Sequence, residues 1–138
     1  MKGRELTRSR AIFILIACAA LLALIVLLCS EPEGGGLDST EKRAAYLASL
    51  GWEVDASSEE HRAVLIPEEL DSVLRQYNAL QKQQGFDLER YCGRELDCWC
   101  YELASYPSGE ENVTAVLYTC KGRAVAGDIH SNALGGFM

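Results

Sequence analysis

Apolar positions along the chain change period several times, and each change marks an element. From Ala11 to Cys29 nineteen residues run without a charge, a proline or a glycine. As a helix such a run spans roughly 28 Å, the hydrocarbon thickness of a bilayer, and a helix apolar on every face belongs in lipid. Ser30-Glu31-Pro32-Glu33-Gly34-Gly35-Gly36 then has nothing to bury and reads as a flexible tether over residues 30–37. Structure is expected to resume at about Asp38. Ser39 or Thr40 can cap a helix through Ala44, Leu47 and Leu50, with Gly51 as its stop. Trp52-Glu53-Val54 reads as a short strand, residues 55–60 as a polar loop and His61 to Ile66 as a second strand. Pro67 suits the start of a second helix, with Glu68, Glu69 and Asp71 at its positive end. Leu70, Val73, Leu74, Tyr77 and Leu80 form one apolar stripe on it, and Gly85 ends it. Three further strands follow, Glu95 to Ser105, Val113 to Cys120 and Arg123 to Ile129, joined by turns at Pro107-Ser108-Gly109 and Lys121-Gly122. The pattern predicts an α+β fold: an N-terminal transmembrane helix, then a two-layer domain over residues 38–138 with two helices on a mainly antiparallel sheet of about five strands.

Charge fixes the orientation of the apolar run. Lys2, Arg4, Arg8 and Arg10 precede it against Glu5 alone, so residues 1–10 are expected to stay cytoplasmic and everything after residue 29 to cross the membrane. A cleaved signal peptide requires small residues after the run, and a lipoprotein cysteine requires one before it; Ile25-Val26-Leu27-Leu28-Cys29 offers neither. An uncleaved, single-pass signal anchor over residues 11–29 is the expectation. Beyond residue 30 the chain keeps nine bases and nineteen acids, a charge of −10. That balance excludes a nucleic-acid partner and serves solubility.

Cys18 and Cys29 act as small apolar residues of the anchor, whereas Cys92, Cys98, Cys100 and Cys120 lie in the exported part, where four cysteines point to disulfides. A hairpin centred on Gly109 places Cys98 across from Cys120. The favoured pairing is then Cys98–Cys120 with Cys92–Cys100. A zinc site is the sharper alternative, but Cys98-Trp99-Cys100 is not the Cys-x-x-Cys knuckle such sites use, and a redox pair prefers a helix start to a strand. His61 and His130 have no partner at motif spacing; an acid–base pair of Asp128 and His130 at a strand end is the one alternative to a turn-stabilising aspartate. No nucleophile elbow, phosphate loop or metalloprotease motif occurs, so neither a catalytic residue nor a cofactor is expected. Asn112-Val113-Thr114 is a glycosylation sequon.

Tyr46-Leu47, Gly51-Trp52-Glu53-Val54, Ile66-Pro67, Tyr77-Asn78-Ala79-Leu80-Gln81, Gln84-Gly85-Phe86-Asp87-Leu88, Tyr91, Gly93, Tyr101, Tyr106-Pro107 and Gly127-Asp128-Ile129 together resemble the bacterial family catalogued as domain of unknown function 4830. The chain departs from that family's pattern at Ala126, where a second glycine is usual, and at His130, where a cysteine is frequent. The resemblance implies a membrane-anchored envelope protein of Gram-positive Firmicutes with no assigned activity and no functional residues to carry over. Two functions stand open, with a hydrolase using Asp128 and His130 as a third. One is a non-enzymatic binding or interaction module that meets an envelope protein, with Trp52, Trp99 or Tyr101 as contacts or, more simply, as core. The other is a thiol/disulfide- or metal-dependent envelope sensor using Cys92, Cys98, Cys100 and Cys120.

Overall fold

The computed structural model describes residues 16–20 and 36–137. Residues 16–20 are helical and exposed. The rest of the apolar run 11–29, the basic tail 1–10 and most of the tether lie outside the described residues. Among the described residues no helix is long and apolar enough to cross a membrane.

Four strands form one antiparallel sheet in chain order: β1 (Glu60–Leu65), β2 (Glu95–Glu102), β3 (Val113–Cys120) and β4 (Arg123–Ser131). Helix α1 (Thr40–Ser49) precedes β1, and α2 (Ser72–Gln83) links β1 to β2. The α+β class is as the sequence predicts, with four strands in place of five. Val54 makes only an isolated bridge with Leu103, because Asp55 at once caps a 3-10 turn through the Ser57 N–H, 2.9 Å, and leads the chain away.

The layering also differs from expectation. Leu96 and Tyr118 pack with Leu74 and Tyr77 of α2, whereas Trp99, Tyr101 and Ala115 pack with Leu47 of α1. These strand residues alternate along β2 and β3 and so point to opposite faces. The helices therefore cover opposite faces, giving three layers rather than two. The near-continuous apolar run Val113-Thr114-Ala115-Val116-Leu117-Tyr118 in β3 is what burial on both faces demands.

Two boundaries move for identifiable reasons. Helix α2 starts at Ser72, because the Asp71 side chain accepts the Leu74 N–H at 2.8 Å and the carbonyls of Ile66 and Pro67 are taken by the Gly93 N–H. Glu68 and Glu69 thus lie in a loop before the helix. The β2–β3 connection closes with Gly109 N–H on Tyr106 C=O, 2.8 Å, and Asn112 takes a left-handed φ of 61°. Pairing therefore does not pivot on Gly109. Cys98 stands opposite Tyr118, and Cys100 opposite Val116. The Lys121-Gly122 turn is as expected; both residues have positive φ, the geometry of a tight two-residue hairpin.

Candidate functional site

The candidate site lies at the free edge of β4. Gly127 pairs with Leu117 and Ser131 with Val113. The Gly127 N–H donates to Gln81 Oε1 at 3.0 Å and its carbonyl accepts from Gln81 Nε2 at 2.9 Å, while the Ser131 N–H donates to the Phe137 carbonyl at 2.9 Å. These groups point away from β3. By the alternation of an antiparallel ladder, the Ile129 N–H and C=O between them also point outward. The Gln81 carboxamide thus stands where a fifth strand would, and it is 1% exposed.

This edge forms the floor of a cleft of about 350 Å³. One wall comes from α1 and its exit, Tyr46, Leu47, Leu50 and Trp52; the other comes from α2 and the following turn, with Tyr77, Leu80 and Phe86. Leu50 and Leu80 remain 56% and 47% exposed. Trp52 stacks on Tyr106 and Tyr106 on Phe137, centroids 6.0 and 4.9 Å apart, so an aromatic row supports the α1 side. A cleft with mostly apolar walls and a few convergent polar groups is what a ligand site requires.

Tyr77 OH donates to Asp128 Oδ2 at 2.7 Å, and Asp128 Oδ1 lies 2.7 Å from His130 Nδ1. Burial is the main cause of a strongly raised Tyr77 phenol pKa, with the Asp128 charge adding to it, so the tyrosine is a fixed donor at neutral pH. The structure thus joins Asp128 and His130, as the acid–base alternative requires. Thr114 of β3 is the register partner of His130, and Thr114, His130 and the Cys100 thiol line one polar cleft. Tyr77→Phe is expected to cost about 1.5–3 kcal/mol in urea unfolding, the worth of one hydrogen bond to a charged acceptor.

The remaining sequence candidates fall elsewhere. His61 stacks on Trp99, centroids 4.2 Å apart, and its Nε2 lies 2.8 Å from Asp97 Oδ1. Trp99 and the buried Tyr101 belong to the α1 core. Cys92 and Cys120 pack against the α2 core, and Cys98 and Cys100 are neighbours on the same face of β2. All four are free thiols in the structure. The register that put Cys98 opposite Cys120 is not the observed one. Among the described residues no three His, Cys, Asp or Glu side chains gather as a metal cage needs.

The sequence carries no site signal for Gln81 beyond its place in the Tyr77 to Leu88 block. In that block Asn78, 2% exposed, donates to Asp87 Oδ1 at 3.0 Å and accepts the Leu88 N–H at 2.7 Å. The block therefore ties α2 to its own exit and to β4.

One antiparallel sheet with a helix on each face and a cleft at its last edge defines a small α+β domain. The profile of the family described as Domain of unknown function (DUF4830) matches residues 46–129, more than half of the chain, and the chain belongs to that family. The match runs from the middle of α1 to Ile129 and so includes both cleft walls and the floor. No curated protein and no solved structure matches the chain.

Proposed function

We propose that this domain is a non-enzymatic binding module, held outside a bacterial membrane by an anchor at residues 11–29, and that it takes an extended segment of an envelope protein in the β4-edge cleft. The carrying observation is the cleft itself, in which apolar walls flank an edge strand with an outward N–H and C=O at Ile129. Such an edge recognises a peptide through its backbone and uses side-chain pockets for selectivity. The anchor rests on the nineteen-residue apolar run and the bases before it.

Panning a random-peptide phage library against the full chain in detergent tests this. Peptides with an apolar residue flanked by extended backbone are expected to be selected. Their binding should fall at least about tenfold, or 1.4 kcal/mol, in Leu80→Lys. It should persist in Val73→Lys, on the same helix at a position 70% exposed and outside the cleft. Peptides that bind both variants alike, or a library that enriches nothing, would overturn the reading.

A further inference from the structure

Cys98 and Cys100 sit one residue apart on β2 with side chains on the same face, and their Sγ atoms are 3.9 Å apart. Their exposures differ. Cys98 is fully buried, whereas Cys100 is half-buried and lines a second, polar cleft of about 320 Å³ with Glu60, Arg62, Glu102, Thr114 and His130. Neither thiol touches the β4-edge cleft. A thiol open to a cleft, backed by a second thiol that solvent cannot reach, is the arrangement disulfide exchange requires: one sulfur to attack, another to resolve.

We propose that Cys98 and Cys100 are a thiol–disulfide exchange pair, with Cys100 as the attacking sulfur and Cys98 as the resolving one. The Cys100 thiolate attacks an external disulfide, a mixed disulfide forms at Cys100, and one external thiolate leaves. Cys98 then attacks Cys100 Sγ, closes the intrastrand bridge and expels the second external thiol. Two protein thiols are oxidised, one external disulfide is reduced to two thiols, and the two protons pass from the protein thiols to the leaving sulfurs. Alternate residues on a strand have Cα atoms about 6.7 Å apart, at the upper end of the distance a bridge spans. The bond is therefore a reducible one rather than a staple.

The surroundings set the rate. Burial, then Cys98, push the Cys100 thiol up to about 11; Arg62 of β1 opposes this and Glu60 adds to it. Arg62 of β1 and Tyr118 of β3 are the two register partners of Cys98, and Glu102 and His130 complete the polar cleft. Tyr77 and Asp128 lie across the same face. Attack at neutral pH is slow and is expected to quicken about tenfold per pH unit below that value, as the thiolate fraction does.

The test uses the reduced full chain in detergent with oxidised glutathione at mildly alkaline pH, quenched by alkylation and mapped by chymotryptic mass spectrometry. The expected product is a Cys98–Cys100 bridge with Cys92 and Cys120 alkylated, formed faster as pH rises. Cys98→Ser should instead stop at a glutathione adduct on Cys100. A first-formed bridge joining Cys98 to Cys120 or Cys92 to Cys100 would overturn the assignment. So would four alkylated thiols, or a Cys98→Ser chain with no adduct on Cys100.

Discussion

Arg43→Ala is expected to lower stability by about 3–5 kcal/mol in urea unfolding, because it leaves Glu59 with an uncompensated charge beside a buried phenol. Arg43 is 4% exposed although it lies on α1 among polar residues. Its Nη2 donates to both Glu59 oxygens at 3.0 and 2.9 Å, its Nε to Tyr101 OH at 3.0 Å and its Nη1 to the Leu37 carbonyl at 3.1 Å. The guanidinium also lies 3.4 Å from the centre of the Trp99 ring. Tyr101 OH donates to Glu59, and Thr40 Oγ1 does so at 3.0 Å. The Glu59 side chain keeps 19% exposure, and this access to water sets the loss near the lower end of the range. Replacing both charges, Arg43→Met with Glu59→Leu, is expected to recover most of the loss, since the unpaired charge rather than the missing attraction carries the cost.

The same cluster gives stability two pH limbs. Desolvation opposes ionisation of Glu59, but hydrogen bonds from Tyr101, Arg43 and Thr40 outweigh it and hold the carboxyl below its ordinary 4.5. The unfolded chain therefore binds that proton first as pH falls. The contribution is complete above about 4.5 and fades as pH drops through the folded value. Burial pushes the Tyr101 phenol up to about 12 from 10. Its contribution is complete below about pH 10 and is lost as pH rises towards 12, because the unfolded phenol ionises first. Urea midpoints measured across pH should show both limbs. Glu59→Gln should abolish the acid one and shorten the alkaline one, since after burial the Glu59 carboxylate is the next cause of the raised Tyr101 phenol.

The cluster also shows where sequence reading succeeds and where it stops. Ser39 caps α1 as the sequence suggests, and Leu74 and Tyr77 of the α2 stripe pack on the sheet, local signals that periodicity reports. Val73 and Leu80 of the same stripe stay exposed, and the polar Asn78 and Gln81 are buried instead. Which sheet face each helix takes is a long-range choice, and an amphipathic stripe is the same either way. Glu59 sits in a stretch that reads as polar loop, and its partner is sixteen residues back on α1. The disulfide register depended on a turn whose closing bond lies at Tyr106 and Gly109, a matter of two residues. The cleft is assembled from four separated stretches of chain, and nothing in any of them alone marks it.

Gln81→Leu is expected to cost about 2–4 kcal/mol, and its shape explains why so conservative a change matters. Leucine fills the same volume but offers nothing to the Gly127 N–H and C=O, two backbone groups at a sheet edge shielded by α2. Each unsatisfied group costs about 1–3 kcal/mol, reduced where water enters through the cleft. A Cβ at Gly127 would meet the Val116 carbonyl oxygen at 2.8 Å, so this position of β4 requires glycine. Gln81→Glu separates the donor from the acceptor. It keeps an oxygen for the Gly127 N–H but turns a second one on the Gly127 carbonyl, so at neutral pH it should destabilise at least as much as leucine. Acidification should restore part of the loss, since the protonated carboxyl again offers one donor and one acceptor. Urea unfolding across pH 4–7 and amide exchange at Gly127 read these effects together. Faster exchange at Gly127 in Gln81→Leu, with α1 unchanged, is the expected signature of an opened edge, and unaltered exchange would show that Gln81 does not close it.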